Sequence, residues 1–188
     1  MNTRKIISAL AFAVTLFAAS ASFAQKEKTV MVGGAAMYPS KNIVENAVNS
    51  KDHTTLVAAV KAAGLVATLQ SAGPFTVFAP TNSAFAKLPA GTVETLLKPE
   101  NLKTLQAILT YHVVAGKMNA SDIAKAIKAG NGKATLITVA GGKLVASMKG
   151  KKLILTDEMG GTSTVTIADV NQSNGVIHVI DGVVLPKS

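Results

Sequence analysis

The chain has no cysteine and no tryptophan, only two tyrosines, and 10 acidic residues against 19 lysines and arginines. Each shortage excludes something. Without cysteine there is no disulfide, no thiolate zinc site, no thiol nucleophile and no lipid attachment through a thiol. Without tryptophan, and with Tyr38 and Tyr111 far apart, there is no stacking platform for single-stranded nucleic acid. Catalytic motifs are also missing. There is no G-x-S-x-G and no P-loop, and the three histidines, His53, His112 and His178, lack metal-ligand spacing. The acidic residues are scattered apart from Asp157-Glu158. The expectation is a protein that is not an enzyme and holds no cofactor or metal.

What is present begins with a leader. Arg4 and Lys5 precede a 14-residue apolar run, Ile6 to Ala19, broken only by Ser8 and Thr15, and "ASASFA" then gives way to "QKEK". A positive start, a short apolar middle and small residues at the exit describe a secretory signal cleaved after Ala24. The run is short of the about 20 residues of a membrane span, so a retained N-terminal anchor is the lesser alternative. Residues 1–24 are therefore read as signal peptide, 25–39 as a lead segment and 40–188 as one domain. Removing Arg4 and Lys5 takes the net charge from +9 to +7, which favours acidic surfaces or anionic polysaccharide. Most lysines are scattered; only "KGKK" at 149–152 clusters them.

Along the rest of the chain, helical spacing comes first. Ile43, Val44, Ala47 and Val48 share a face, and Asp52 can cap a helix carrying Leu56, Val57, Val60 and Ala63 that ends near Gly64. "PFTVFAP" (74–80) is apolar on both alternating sets, as in a strand covered on two sides. Thr81 or Asn82 can cap a short helix with Phe85 and Leu88, two helices divided by Pro99 occupy 91–114, and Ser121 can cap another. After Gly130 five strand-like segments alternate with turn signals at Gly141-Gly142, Lys149-Gly150, Gly160-Gly161 and Asn174-Gly175. Short helices followed by strands indicate an α+β domain. In the last strand, "NGVIHVID", His178 sits among aliphatic residues. A buried imidazole needs partners, and Thr81, Asn82 and Tyr111 are candidates, since an unpaired one costs on the order of 1–3 kcal/mol.

Three segments, "TVFAPTNSAFAKLP" (76–89), "YHVVAGKM" (111–118) and "NGVIHVIDGVVLP" (174–186), resemble the hallmark segments of the fasciclin domain family, in order and at the family's spacing. The resemblance covers about residues 40–186 and is similar in extent to single-domain secreted bacterial members. It implies a wedge in which a β-sheet region is flanked by short α-helices, with the first and last hallmark segments side by side. Thr81, Asn82, Phe85, Gly175, His178 and Asp181 are its structural hallmark positions. It also implies an exported, periplasmic or extracellular, monomeric adhesion module. Its partners would be cell-surface or matrix proteins, or anionic polysaccharide. Tyr111 and His112 match the family's Tyr-His adhesion segment. Asp169 and Val170 stand where animal relatives carry an Asp-Ile recognition pair, with Ile167 and Ala168 in place of the acidic residue and proline before it. Two other functions remain open. One is a small-ligand protein with an apolar molecule or haem near Met118, Met148 or Met159; the other is a hydrolase of cell-wall or plant polymer with paired carboxylates.

Overall fold

The computed structural model describes residues 28–187, and the expected signal peptide lies outside them. It begins with a hairpin of β1 (Val30–Val32) and β2 (Ala35–Met37). Gly33 and Gly34 form its two-residue turn at φ 56° and 77°, values that a side chain disfavours. This hairpin falls in the segment read as a lead, yet Val32 and Met37 are buried in the core of the domain.

Four short helices interleave with the first long strand. In α1 (Ile43–Ala47) Asn42 and Glu45 cap each other reciprocally, at 2.9 and 2.8 Å. A single 3-10 turn, Lys51–His53, leads into α2 (Thr54–Ala62). Asp52 does not cap α2. The N–H of Thr55 instead donates to Asn82 Oδ1 at 3.0 Å, so a residue from further along the chain closes the helix. Gly64, at φ 69°, follows α2 and α3 (Val66–Gln70) comes next. Then β3 (Phe75–Pro80) leads directly to α4 (Asn82–Phe85), whose cap is Thr81: its Oγ1 accepts from the Ala84 N–H.

The middle of the chain holds α5 (Thr92–Leu96), a 3-10 turn at Pro99–Asn101 and α6 (Leu102–Tyr111). Here the expectation of helix through Val114 fails. Val113–Ala115 is β4, paired antiparallel with β3. After α7 (Ala120–Ala129), which starts at Asn119 rather than at Ser121, come β5 (Lys133–Ile137), β6 (Lys143–Lys149), β7 (Lys152–Thr156), β8 (Thr162–Gln172) and β9 (Gly175–Ile180).

These strands make one seven-stranded sheet in the order β4-β3-β9-β8-β7-β6-β5. Only β3 and β9 are parallel, with Phe75 opposite Gly175 and Phe78 opposite His178. The two hallmark strands therefore lie side by side, as the resemblance implied. Gly175 is needed there, because a Cβ on it would collide with the Phe75 carbonyl oxygen. The sheet also curls until its edges meet: the Val139 N–H donates to Val113 O at 2.7 Å, beside a bridge between Val114 and Thr138.

Curling gives the sheet an inner and an outer face, each with its own core. Inside, under α7, lie Phe78, Leu136, Leu144, Leu155 and Ile180 with Ile123 and Ile127 of the helix. The other face of the same strands, Val77, Ala79, Ile177 and Val179, packs with Val32, Met37 and Ile43, and a helical cluster of Ala59, Val60, Leu105 and Leu109 adjoins it. Every residue of β9 is buried, which explains an apolar pattern on both faces that only His178 interrupts. Asn174, at the turn into β9, joins these layers: its Oδ1 accepts from the Ile43 N–H at 3.0 Å, and its Nδ2 donates to the carbonyls of Leu69 and Ser71.

Candidate functional site

His178 sits at the centre of the curled sheet, fully buried, with its ring stacked on Phe78 at 5.6 Å between centroids. The expected partners Thr81, Asn82 and Tyr111 do not reach it. Its Nε2 donates to Met118 O at 2.9 Å, and its Nδ1 accepts from the Asp169 N–H at 3.3 Å. The Asp169 amide has only a proton to give and the Met118 carbonyl can only accept. The ring is thus neutral, with its proton on Nε2. Burial lowers its pKa, against smaller opposing effects of the Met118 carbonyl and the Asp169 charge. The imidazole ties the β4–α7 connection to β8.

The β8 contact is built by an irregularity. Pairing of β8 with β9 shifts register between Val165 and Ile167 and again between Ile167 and Val170. In the second bulge Asp169 adopts φ 58°, a left-handed value that aspartate tolerates better than most residues. There its Oδ1 accepts from the Ala120 N–H, at the first turn of α7, at 2.6 Å. The half-buried Asp169 is therefore committed to the fold through both its amide and its carboxylate, and Val170 is 1% exposed. Beside them Asn119, Ser121, Asp169 and Asn171, together with Val30, Met37 and Pro39, line a recess of about 350 Å³, with Lys28 at its wall.

Tyr111 and His112 close α6 and are 0% and 3% exposed. The Tyr111 hydroxyl donates to Lys143 O at 2.6 Å and accepts from the Glu158 N–H at 3.2 Å. His112 donates from Nδ1 to Ile108 O at 2.8 Å and accepts at Nε2 from the Val184 N–H at 3.2 Å. This second neutral imidazole has its pKa lowered to about 4, burial being the main cause. Neither side chain offers a contact surface in this structure. The aliphatic neighbours that flank the pair, together with the turn from helix to strand, place it inside.

The acidic pair is likewise spent on backbone. Asp157 accepts from the N–H groups of Met159, Gly161 and Leu185, and Glu158 from those of Lys143 and Lys187. Those two amide bonds are the main reason the Glu158 pKa is lowered. The two carboxylates hold the turn and the C-terminal tail, so the hydrolase reading gains no acid–base pair from them. Asp181 Oδ1 accepts from the Thr164 N–H at 2.7 Å, and half-buried Phe85 completes α4.

The methionines expected to mark a ligand pocket do not form one. Met118 packs against the inner core, whereas Met148 and Met159 are 43% and 62% exposed. A cavity of about 90 Å³ lies elsewhere, between α1, α2 and α3 and the outer face of β3 and β9. The helical stripe of Leu56, Val57 and Val60 was visible in the sequence; that it leaves space against the sheet was not.

One surface feature stands out by its charge. Lys149 and Lys152 pair directly across the β6–β7 hairpin, with Gly150 at φ 61° and Lys151 between them. All three lysines are exposed, and among the described residues no carboxylate pairs with them. Like charges directly opposite in a sheet are unfavourable.

The three imidazoles of this fold are buried, at 3% exposure or less, and Asp157, Glu158, Asp169 and Asp181 each accept from backbone N–H groups. Residues 51–186 match the Fasciclin domain model, and the chain belongs to that family. It is 49% identical over 168 residues to the protein sll1483 of Synechocystis, covering 89% of this chain and 86% of that one. It is 35% identical to the immunogenic protein MPB70 of Mycobacterium bovis over 74% of this chain and 66% of that one. Among solved structures it resembles a FAS1 domain pair from the insect cell adhesion molecule Fasciclin I. The TM-score is 0.69 at 18% identity, covering 79% of this chain and about half (52%) of that one. Another relative, MPB83 of Mycobacterium bovis, is a cell surface glycolipoprotein, 36% identical over 66% of this chain and 49% of its own. Among the described residues no helix is long and apolar enough to cross a membrane.

Proposed function

We propose that the protein is an exported, non-enzymatic surface-interaction module that acts as a monomer and attaches to anionic polysaccharide or acidic proteins of a cell surface or matrix. The observation that carries the reading is the Lys149–Lys152 hairpin. A cross-strand lysine pair with a third lysine in its turn works against the fold, and an anionic partner offsets that cost. The net positive charge of the chain acts in the same direction and draws acidic surfaces from a distance. The cell-adhesion relative supports the class of activity. The leader supports export, and the recess beside Asp169 offers a second set of hydrogen-bonding groups, Asn119, Ser121 and Asn171, with Lys28 at its wall.

The test is retention on an immobilised sulfated glycan and on envelope fractions across a salt gradient. The mature chain should bind at low salt and elute as salt rises. Replacing Lys149, Lys151 and Lys152 together by Gln should shift elution to clearly lower salt while the melting temperature holds or rises, and the Arg triple variant should bind like the parent. Binding of the Gln variant equal to that of the parent refutes the assignment.

A further inference from the structure

Strands β5, β6 and β7 bury one face only. Ala134, Leu136, Leu144, Ala146, Leu153 and Leu155 belong to the inner core, so the residues between them form an outer face. Val145 and Ile154, half-buried at the centre of that face, belong to none of the three cores. The pairing register fixes what surrounds them. Lys133 stands opposite Ser147, and Ser147 and Lys149 are two residues apart on β6, so Lys133 and Lys149 are diagonal neighbours. Lys149 in turn faces Lys152. With Lys151 in the turn, four exposed lysines gather at one end of the face. None of them has an ion pair among the described residues, and β5, β6, β7 and the β6–β7 turn contain no Asp or Glu.

Beside the lysines lie rows of hydroxyls that run across the strands. Thr135 faces Val145, which faces Thr156, which faces Thr162; Ser147 faces Ile154, which faces Thr164. Among the described residues, none of these five hydroxyls has a hydrogen-bond partner on the protein. Free hydroxyls and short aliphatic groups match a sugar chain, whose rings offer hydroxyls and C–H faces. They match an acidic protein poorly. Protein interfaces are anchored by aromatic and arginine side chains seated in pockets. Strands β5 to β8 contain neither type.

We propose that an anionic polysaccharide lies across the outer face of β5–β8, with its acidic groups at the four lysines and its sugar hydroxyls on the threonine and serine rows. The inference rests on the hairpin attachment above; it adds Lys133 and the hydroxyl rows and selects polysaccharide over acidic protein. The probes are a heparin-derived octasaccharide and poly-L-glutamate of matched charge, each titrated into the full mature chain at several salt concentrations. The octasaccharide should bind with an affinity that falls steeply with salt, because a linear polyanion releases condensed counterions. Lys133→Gln should lower the slope of log affinity against log salt by about one, the loss of one charge contact. Lys103→Gln, on the exposed side of α6, should leave the slope unchanged. Thr135→Val combined with Thr156→Val removes two hydroxyls and keeps β-branched strand formers. It should weaken the octasaccharide on the order of tenfold at unchanged slope, and leave poly-L-glutamate as it was. Melting curves show that each variant is folded. The proposal is overturned if Lys133→Gln keeps the parent slope, if the threonine variant binds the octasaccharide as tightly as the parent, or if it loses both probes alike. In those cases weaker binding by the Gln variant at Lys149, Lys151 and Lys152 leaves the hairpin attachment standing. If that variant binds like the parent, or if the parent does not bind the octasaccharide, the attachment falls and this proposal with it.

Discussion

Acid should destabilise this protein through His112, at a pH where carboxylates are still charged. The imidazole donates to one backbone group and accepts from another, an arrangement that only the neutral ring satisfies. Protonation would set a second N–H against the Val184 amide in a site closed to water. Its pKa falls to about 4 in the fold, from about 6.5 in the open chain. The unfolded chain therefore binds the extra proton first, and stability must decline as pH drops below about 6.5, levelling off below about 4. The linkage relation with these two values gives a loss of about 2 kcal/mol by pH 5 and about 3 kcal/mol by pH 4. His53 and His178, also lowered by burial, add to the decline in the same direction. Urea unfolding at pH 7.5, 6.5, 5.5 and 5.0 measures it above the range in which carboxylates titrate. His112→Gln keeps a donor and an acceptor without the titration, and His112→Phe removes both. Each should start less stable at pH 7.5 and then show a flatter pH profile than the parent. A parent profile that is level from pH 7.5 to 5, or a variant that retains the full slope, refutes the argument.

Three further outcomes follow from the same geometry. His178→Phe keeps the stacking on Phe78 but strands the Met118 carbonyl and the Asp169 amide, so it should cost about 2–4 kcal/mol by denaturant unfolding and speed amide exchange at Ala120. Tyr111→Phe loses one hydroxyl bonded on both sides and should cost about 1–2 kcal/mol, measured the same way. Asp169→Asn keeps an oxygen for the Ala120 amide and tolerates the left-handed backbone, so thermal melting should barely change, whereas Asp169→Val forces a β-branched residue into that conformation and should lose at least ~1 kcal/mol.

The strands after residue 130 were legible because glycine-containing turns separate them, and glycine reaches positive φ without the steric cost that other residues meet. Gly141, Gly150 and Gly160 all adopt it. The two-sided burial of 75–80 and 175–180 could be read from apolar residues on both alternating sets. Other features were hidden for physical reasons. Strand β4 is three residues long and follows a helix with the same aliphatic composition, so no period separates them. The hairpin at 30–37 is too short for alternation to show. The His178 partners are a backbone carbonyl and a backbone amide, and such groups carry no residue signature. Asp169 looked like half of a recognition pair, whereas its location in a bulge depends on a register shift that only the paired strand reveals. The cavity depends on how far three helices stand from a sheet, which amphipathic spacing does not encode.

The strand made last lies in the middle of the sheet. Until β9 emerges, β3 has β4 on one edge and nothing on the other, and β8 lacks a neighbour on that side. The N-terminal half therefore cannot settle early. A nascent chain stays pliable until nearly its whole length is available, and then closes by distant contacts, a slow route. Such a delay would suit the proposed export, in which a polypeptide is threaded through a narrow channel before it takes its shape. It also means that a truncation reaching back into the six residues of β9 would take the centre out of the whole sheet.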